Sequence, residues 1–89
     1  MKHELKTWCQ YFDAIWRGDK TFEVRKNDRN FQIGDTLWLR EWDQTLSRYT
    51  GRVLDVKVTY IMQNQELGVS PPFVVMGFRI LNYIPASAK

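Results

Sequence analysis

A single cysteine, Cys9, leaves the chain unable to close a disulfide within itself or to build a multi-cysteine zinc site. A reducing compartment, the cytoplasm, suits that usage. Long apolar runs are missing as well. The longest, Phe73 to Phe78, falls far short of the roughly 20 residues a bilayer requires, so no membrane partner is expected. The opening Met1-Lys2-His3-Glu4-Leu5-Lys6 carries charges where a signal peptide needs its apolar stretch. No Ser-His-Asp arrangement, phosphate loop or metal-ligand spacing is present, so neither metal nor cofactor is expected. An excess of one charge sign is lacking too, because ten Asp and Glu nearly offset thirteen Lys and Arg and leave +3. A groove tracking long duplex would want more cations and fewer carboxylates. The balance instead suits a short strand, an RNA end or a nucleotide.

Aromatic residues are plentiful: five Phe, four Trp and four Tyr among 89 residues. A chain of this length forms one domain with a small core, and the aromatics make a disulfide-free core sufficient. That domain is expected over residues 1–84, followed by a frayed tail over 85–89. No repeat, low-complexity segment or linker interrupts it.

Glu4 to Lys6 reads as a short first strand with Leu5 facing inward, led by His3, the chain's lone histidine. His3 is a candidate ligand or proton-transfer group, although such a histidine is more often a satisfied polar residue. Thr7-x-x-Gln10 has the form of a capping box, which predicts a helix starting there. Trp8, Tyr11, Phe12, Ile15 and Trp16 fall at helical spacing as one apolar stripe, for core packing first and only secondarily as a base-stacking platform, and Gly18 stands as the C′ residue. Cys9 within this helix has no basic neighbour to activate it. A strand follows over Thr21 to Asn27, then a turn-rich loop closed by Gly34-Asp35, then a strand over Thr36 to Asp43. Gln44 to Gly51 reads as a polar hairpin connection into a long strand over Arg52 to Met62, its apolar face Leu54, Val56, Val58 and Tyr60. After an irregular excursion through Pro71-Pro72, the strand Phe73 to Leu81 is apolar on both faces around Gly77, which predicts a central position with a bulge or a close backbone approach. The fold expected is α+β: a mixed, mostly antiparallel β-pseudobarrel of about five strands, with one main helix plugging an end.

Candidate chemistry gathers between Gly18 and Asp28. Strand alternation sends Phe22 and Val24 to one face and Thr21, Glu23 and Arg25 to the other, with Glu23 and Arg25 about 7 Å apart at Cα. Lys20 precedes them on a turn. An ammonium, a carboxylate and a guanidinium on one face suit a polar planar ligand, or equally a solvated face. Five of the basic residues fall between Arg17 and Arg29, against three acidic ones. For an RNA or nucleotide ligand, Lys20, Lys26 and Arg29 would face phosphate, Glu23 and Arg25 would read a base edge, and Phe31 or Trp42 would stack, although Phe31 and Ile33 more often plug the barrel end beneath such a loop. Trp38, Arg40 and Trp42 alternate on one strand face, preferably as a cation–π ladder that covers a helix, or else as a stacking surface for bases. If the chain were an enzyme, Glu23 would be its general base and Lys20 its oxyanion stabiliser. A third possibility is a protein-interaction domain in which the same residues only stabilise the fold.

Gly18, Lys20, Glu23 and Arg25 match the G-x-K-x-x-E-x-R signature of ASCH domains, a branch of the PUA-like superfamily. The remainder resembles an uncharacterised ASCH-like bacterial and phage family that opens His-x-Leu-Lys, here His3 to Lys6. That family carries Arg-Lys-Asn-Asp-Arg, Gly-Asp and Leu-Arg-Glu-Trp segments, here Arg25 to Arg29, Gly34-Asp35 and Leu39 to Trp42. The resemblance implies a PUA-like pseudobarrel with a cleft beside the helix and a role in binding RNA or modified nucleotides. One ASCH branch hydrolyses acetylated cytidine with a lysine, a threonine and a glutamate. Lys20 matches that lysine, but Glu23 occupies the place of the threonine, so this activity is not expected.

Overall fold

The computed structural model describes residues 1–87, so the expected tail over 85–89 lies partly outside the described residues. Its elements are β1 (Lys2–Trp8), α1 (Cys9–Trp16), β2 (Phe22–Lys26), β3 (Thr36–Asp43), β4 (Arg48–Met62), a single 3-10 turn (Gln65–Leu67) and β5 (Phe73–Ile84). One sheet holds all five strands in the order β1-β3-β4-β5-β2. Only β1 with β3 is parallel; the other neighbours are antiparallel. The sheet curls into a half-barrel with α1 against its interior. The α+β class and mostly antiparallel pseudobarrel follow the sequence reading.

Period-two alternation builds the interior. Leu5 on β1, Leu37 and Leu39 on β3, Leu54, Val56 and Val58 on β4, and Val74, Met76 and Phe78 on β5 all point into one core. Phe12 and Ile15 of α1 are fully buried against it, while Trp8 and Tyr11 of the expected stripe stay half exposed. Gly18 does end the helix, with φ +86° and its N–H donating to the Ile15 carbonyl at 2.9 Å. Glycine adopts that left-handed conformation without the Cβ clash other residues meet.

Four local expectations need correction. Strand β1 is longer than Glu4–Lys6, because its parallel ladder runs from Lys2↔Thr36 to Trp8↔Trp42. Thr7 therefore belongs to the strand and cannot cap α1. Trp8 takes the N-cap position with extended backbone, and no side chain caps that end. The hairpin into β4 is also tighter than Gln44 to Gly51: Asp43 pairs with Arg48, and the Asp43 carboxylate accepts from the Thr45 and Leu46 N–H groups at 2.9 and 3.0 Å. Finally, Tyr60 faces solvent instead of the core. The β4–β5 register shifts between Val58 and Tyr60, so Thr59 is an extra residue that inverts the alternation and turns Ile61 inward. Gly77 sits opposite the bulge, where an added Cβ would lie 3.8 Å from Thr59 and Tyr60. The central place of β5 agrees with the sequence reading, whereas the bulged residue beside Gly77 is Thr59 on the neighbouring β4 and not a residue of β5 itself.

Two ion networks fasten this frame. Glu41 projects inward from β3 and takes both Nε and a terminal nitrogen of Arg52, at 2.9 and 2.8 Å, with the Thr50 hydroxyl donating at 2.5 Å. Arg52 continues to Asp13 of α1 at 2.5 Å and lies over the rings of Phe12 and Trp16, tying helix to sheet. The Arg52 hydrogen bonds hold the Glu41 carboxyl below its ordinary pKa, outweighing burial, with Thr50 assisting. At the start of β3, Asp35 accepts from His3 at 2.9 Å, from the Gln32 N–H at 3.0 Å and from the Met1 ammonium at 3.1 Å. Burial alone would raise the Asp35 pKa, but these donors together lower it.

Both carboxyls are depressed in the folded state, so the stability they confer is complete above the ordinary carboxylate range near ~4 and is lost as pH falls through their folded pKa values. Urea midpoints should be flat from neutral pH down to about 5 and drop below about 4, with the drop reduced in Glu41→Gln. Arg52→Ala strands a buried carboxylate and should cost about 3 kcal/mol, the lower end for a broken buried pair, because Arg52 keeps 27% of its side chain exposed. An unchanged midpoint in that variant would show the network to be ornamental.

Candidate ligand cleft between two strand edges

Strands β1 and β2 are the two edges of the sheet, and the curl brings them face to face without a backbone ladder between them. Arginine side chains span the gap. Arg25 donates from a terminal guanidinium nitrogen to the Lys6 carbonyl, and Arg29 to the Glu4 carbonyl, each at 2.6 Å. Glu4 and Lys6 are two apart, so both carbonyls point to the same free edge of β1. Unpaired edge carbonyls otherwise invite another strand, and here guanidinium groups occupy them.

Above this seam lies a cleft of roughly 550 Å³ lined by Lys6, Thr7, Trp8, Tyr11, Lys20 and the β2 run Phe22 to Arg25. Its floor is the Lys20–Glu23–Arg25 cluster. Glu23 points inward from β2, opposite Met76 of β5, and is buried. One carboxylate oxygen accepts from Lys20 Nζ at 2.7 Å and the other from Arg25 Nε at 2.9 Å. Lys20 Nζ also donates to the Phe22 carbonyl at 2.8 Å. The glycine turn at Gly18 makes this possible, because the chain reverses there and delivers Lys20 beside the strand it precedes. The walls are aromatic. Trp8, Tyr11 and Phe22 keep 47%, 49% and 44% of their surface exposed, which is high for such rings in a small domain. Trp8 and Tyr11 stack with centroids 6.5 Å apart and planes 19° from parallel.

Lys20, Glu23 and Arg25 thus come together, while the other candidates go elsewhere. Phe31 is buried in the core with its ring against His3 at 4.8 Å, as a plug and not a stacking ring, whereas Ile33, expected beside it, is exposed. His3 is buried and engaged with Asp35 rather than facing a ligand. Arg40 and Trp42 alternate with Leu39 and Glu41 and so project from the outer face of β3. There Arg40 lies 3.8 Å from the Tyr49 ring and Lys6 Nζ lies 3.9 Å from the Trp42 ring. With Lys2 over Trp38 at 3.5 Å, these cation–π pairs run between strands on the outer side of the sheet, so Trp38, Arg40 and Trp42 do not cover the helix as expected, because α1 packs against the inner face. Lys26 is exposed at the end of β2, and Arg29 is committed to the seam. Burial raises the Cys9 thiol pKa, with Glu41 adding to it, and its Sγ donates to the Trp42 carbonyl at 3.3 Å. Among the described residues, no three His, Cys, Asp or Glu side chains gather as metal ligands would, and no helix is long and apolar enough to cross a membrane.

Sequence reasoning put Trp8 and Tyr11 on a stacking platform only as a second choice after the core, and it missed Lys6, Thr7, Phe22 and Val24 as cleft residues. Trp8 and Tyr11 lie three apart beside the signature, and the same spacing serves a core stripe equally well.

A family model described as "Domain of unknown function (DUF3850)" matches residues 2–78. The chain belongs to the DUF3850 family. It is also 37% identical over 84 residues to the "Uncharacterized 12.9 kDa protein in GpA 3'region" of Escherichia phage P2, an alignment covering 82% of this chain and 75% of the phage protein. The match contains every cleft residue and both seam arginines.

Arg29→Ala should release the Glu4 carbonyl to water and cost about 1 kcal/mol, as for loss of one hydrogen bond. Amide exchange at Glu4 and Lys6 should rise more than exchange in β4, and equal changes in both strands would contradict a local seam.

Proposed function

We propose that the chain is a PUA-like, ASCH-type module that binds single-stranded RNA, an RNA end or a nucleotide in the cleft between β1 and β2. The observation that carries this reading is the combination of half-exposed aromatic walls with a charged floor. Bases stack on aromatic faces whatever their identity, and cations beside them meet phosphate or base edges. The volume is of the size that holds a small ligand. The G-x-K-x-x-E-x-R spacing, following a helix and preceding a Gly-Asp turn, supports the ASCH kinship. Stacking is assigned to Trp8, Tyr11 and Phe22, with Lys20 and Arg25 as the cations and Glu23 holding both in position.

Titrating a short single-stranded RNA by fluorescence anisotropy tests this. Trp8→Ala and Tyr11→Ala should each weaken binding by about 1–3 kcal/mol, the worth of one stacked base. Trp38→Ala, on the outer face, should leave it unchanged. Binding that is undetectable in the wild type, or lost equally in Trp38→Ala, would end the proposal.

A hydrolase is the second reading, favoured by one observation: Thr7 brings a hydroxyl to the same cleft as Lys20 and Glu23. Against it, each Glu23 oxygen already accepts from a cation, which suits positioning better than taking a proton from water. Purified protein should therefore leave acetylated cytidine intact. Turnover that disappears in Lys20→Ala would make Glu23 a base and reverse the preference between the two readings.

A further inference from the structure

Helix α1 begins at the cleft wall with its N-terminus uncapped. Thr7, Trp8 and Tyr11, which line the cleft, stand just before the helix, at its N-cap and in its first turn. No side chain caps this eight-residue helix, and its first turn carries no acidic residue. The first N–H groups of a helix have no intrahelical acceptors and carry a partial positive charge, which anions satisfy. A second, independent observation points to a ligand. Thr7 is only 3% exposed on the inward face of β1, and its Oγ1 has no hydrogen-bond partner. A buried hydroxyl without a partner costs about 1–3 kcal/mol; Thr7 lines the cleft, and a ligand seated there reaches Oγ1, which has almost no exposed surface, on a small shift of the lining.

The donors already in the floor are not used up. Lys20 has three ammonium protons and spends two, on Phe22 and Glu23. Arg25 has five N–H groups and spends two, on Glu23 and Lys6. Glu23 is the one acidic residue of the lining, and it is outnumbered by these two cations, so the floor remains net positive. The cleft is also closed below. Arg25 bridges β2 to β1 through the Lys6 carbonyl at its base, so a ligand is received from the open side, where the cations of the floor face it.

We infer that the cleft seats a terminal phosphate monoester of a nucleotide over the start of α1, accepting from the Thr7 hydroxyl, the first-turn N–H groups, Lys20 and Arg25. This rests on the nucleic-acid reading above and goes beyond it by naming the group recognised. The phosphate carries about −1.5 to −2 charges at neutral pH, more than an internal diester presents, and it has several acceptor oxygens for donors arranged on one side.

The test compares a short single-stranded RNA without terminal phosphates against the same RNA phosphorylated at one end or the other, and a nucleoside against its monophosphate, all by tryptophan fluorescence. One of the phosphorylated RNA forms should bind about tenfold or more tightly than the unphosphorylated form, the effect of one or two charge-assisted hydrogen bonds. Thr7→Val should reduce the affinity of that form about fivefold, the effect of one such bond, and Thr7→Ser should restore it; correct folding of both is checked by their urea midpoints. A monophosphate that binds as tightly as the phosphorylated RNA would identify a free nucleotide as the occupant and support the inference. Equal affinity for RNA with and without a terminal phosphate overturns the inference and leaves RNA binding standing. Failure of every probe to bind overturns both.

Discussion

Two strand edges that meet without pairing are the constraint on which the rest of this structure depends. Five strands curl far enough to bring β1 opposite β2, but the ladder that would close a barrel is replaced by guanidinium groups on β1 carbonyls. A backbone ladder would have filled the gap. Side chains reach across it and leave room above, which is where the cleft lies. Arg25 serves both purposes, because the same guanidinium closes the seam and holds Glu23.

The interior consequently carries charge where the sheet fails to close and near the ends of β3. Glu23, Asp35 and Glu41 are all buried, and each is answered differently: Glu23 by Lys20 and Arg25, Asp35 by His3, a backbone N–H and the Met1 ammonium, Glu41 by Arg52 and Thr50. Unpaired, any of them would be costly to bury. Paired, they fix geometry, since removing one partner leaves the other stranded. Between these polar points the aliphatic layers of β3, β4 and β5 supply the nondirectional burial that holds the domain together.

The helix joins the two systems. Its buried side, Phe12 and Ile15, packs into the core, and Asp13 reaches Arg52 beneath it. Its first turn instead faces the cleft through Tyr11, next to the N-cap residue Trp8. Continuing the parallel ladder to Trp8 removes Thr7 from a capping role and turns it inward without a partner. One register choice thus leaves both a helix end and a hydroxyl unsatisfied at the same opening.

Alternation alone determined much of this protein. The apolar periods of Leu37-Leu39, Leu54-Val56-Val58 and Val74-Met76-Phe78 mark their inward faces, Gly18 marks the helix end, and Gly77 marks the place opposite the bulge. The grouping of Lys20, Glu23 and Arg25 was legible for the same reason, since a turn and a two-residue step are local geometry. Tertiary structure alone decided which face of β2 turned inward, because that depends on β5 as its neighbour, and which aromatics stayed exposed, because Trp8 and Phe12 have equal claims to a helical stripe until the sheet covers one of them. Partners far apart in the chain, such as Arg25 with Lys6, His3 with Asp35 and Arg52 with Asp13, leave no periodic trace in sequence. They exist because the sheet curls, and curl comes from the packing of the whole sheet rather than from any one strand.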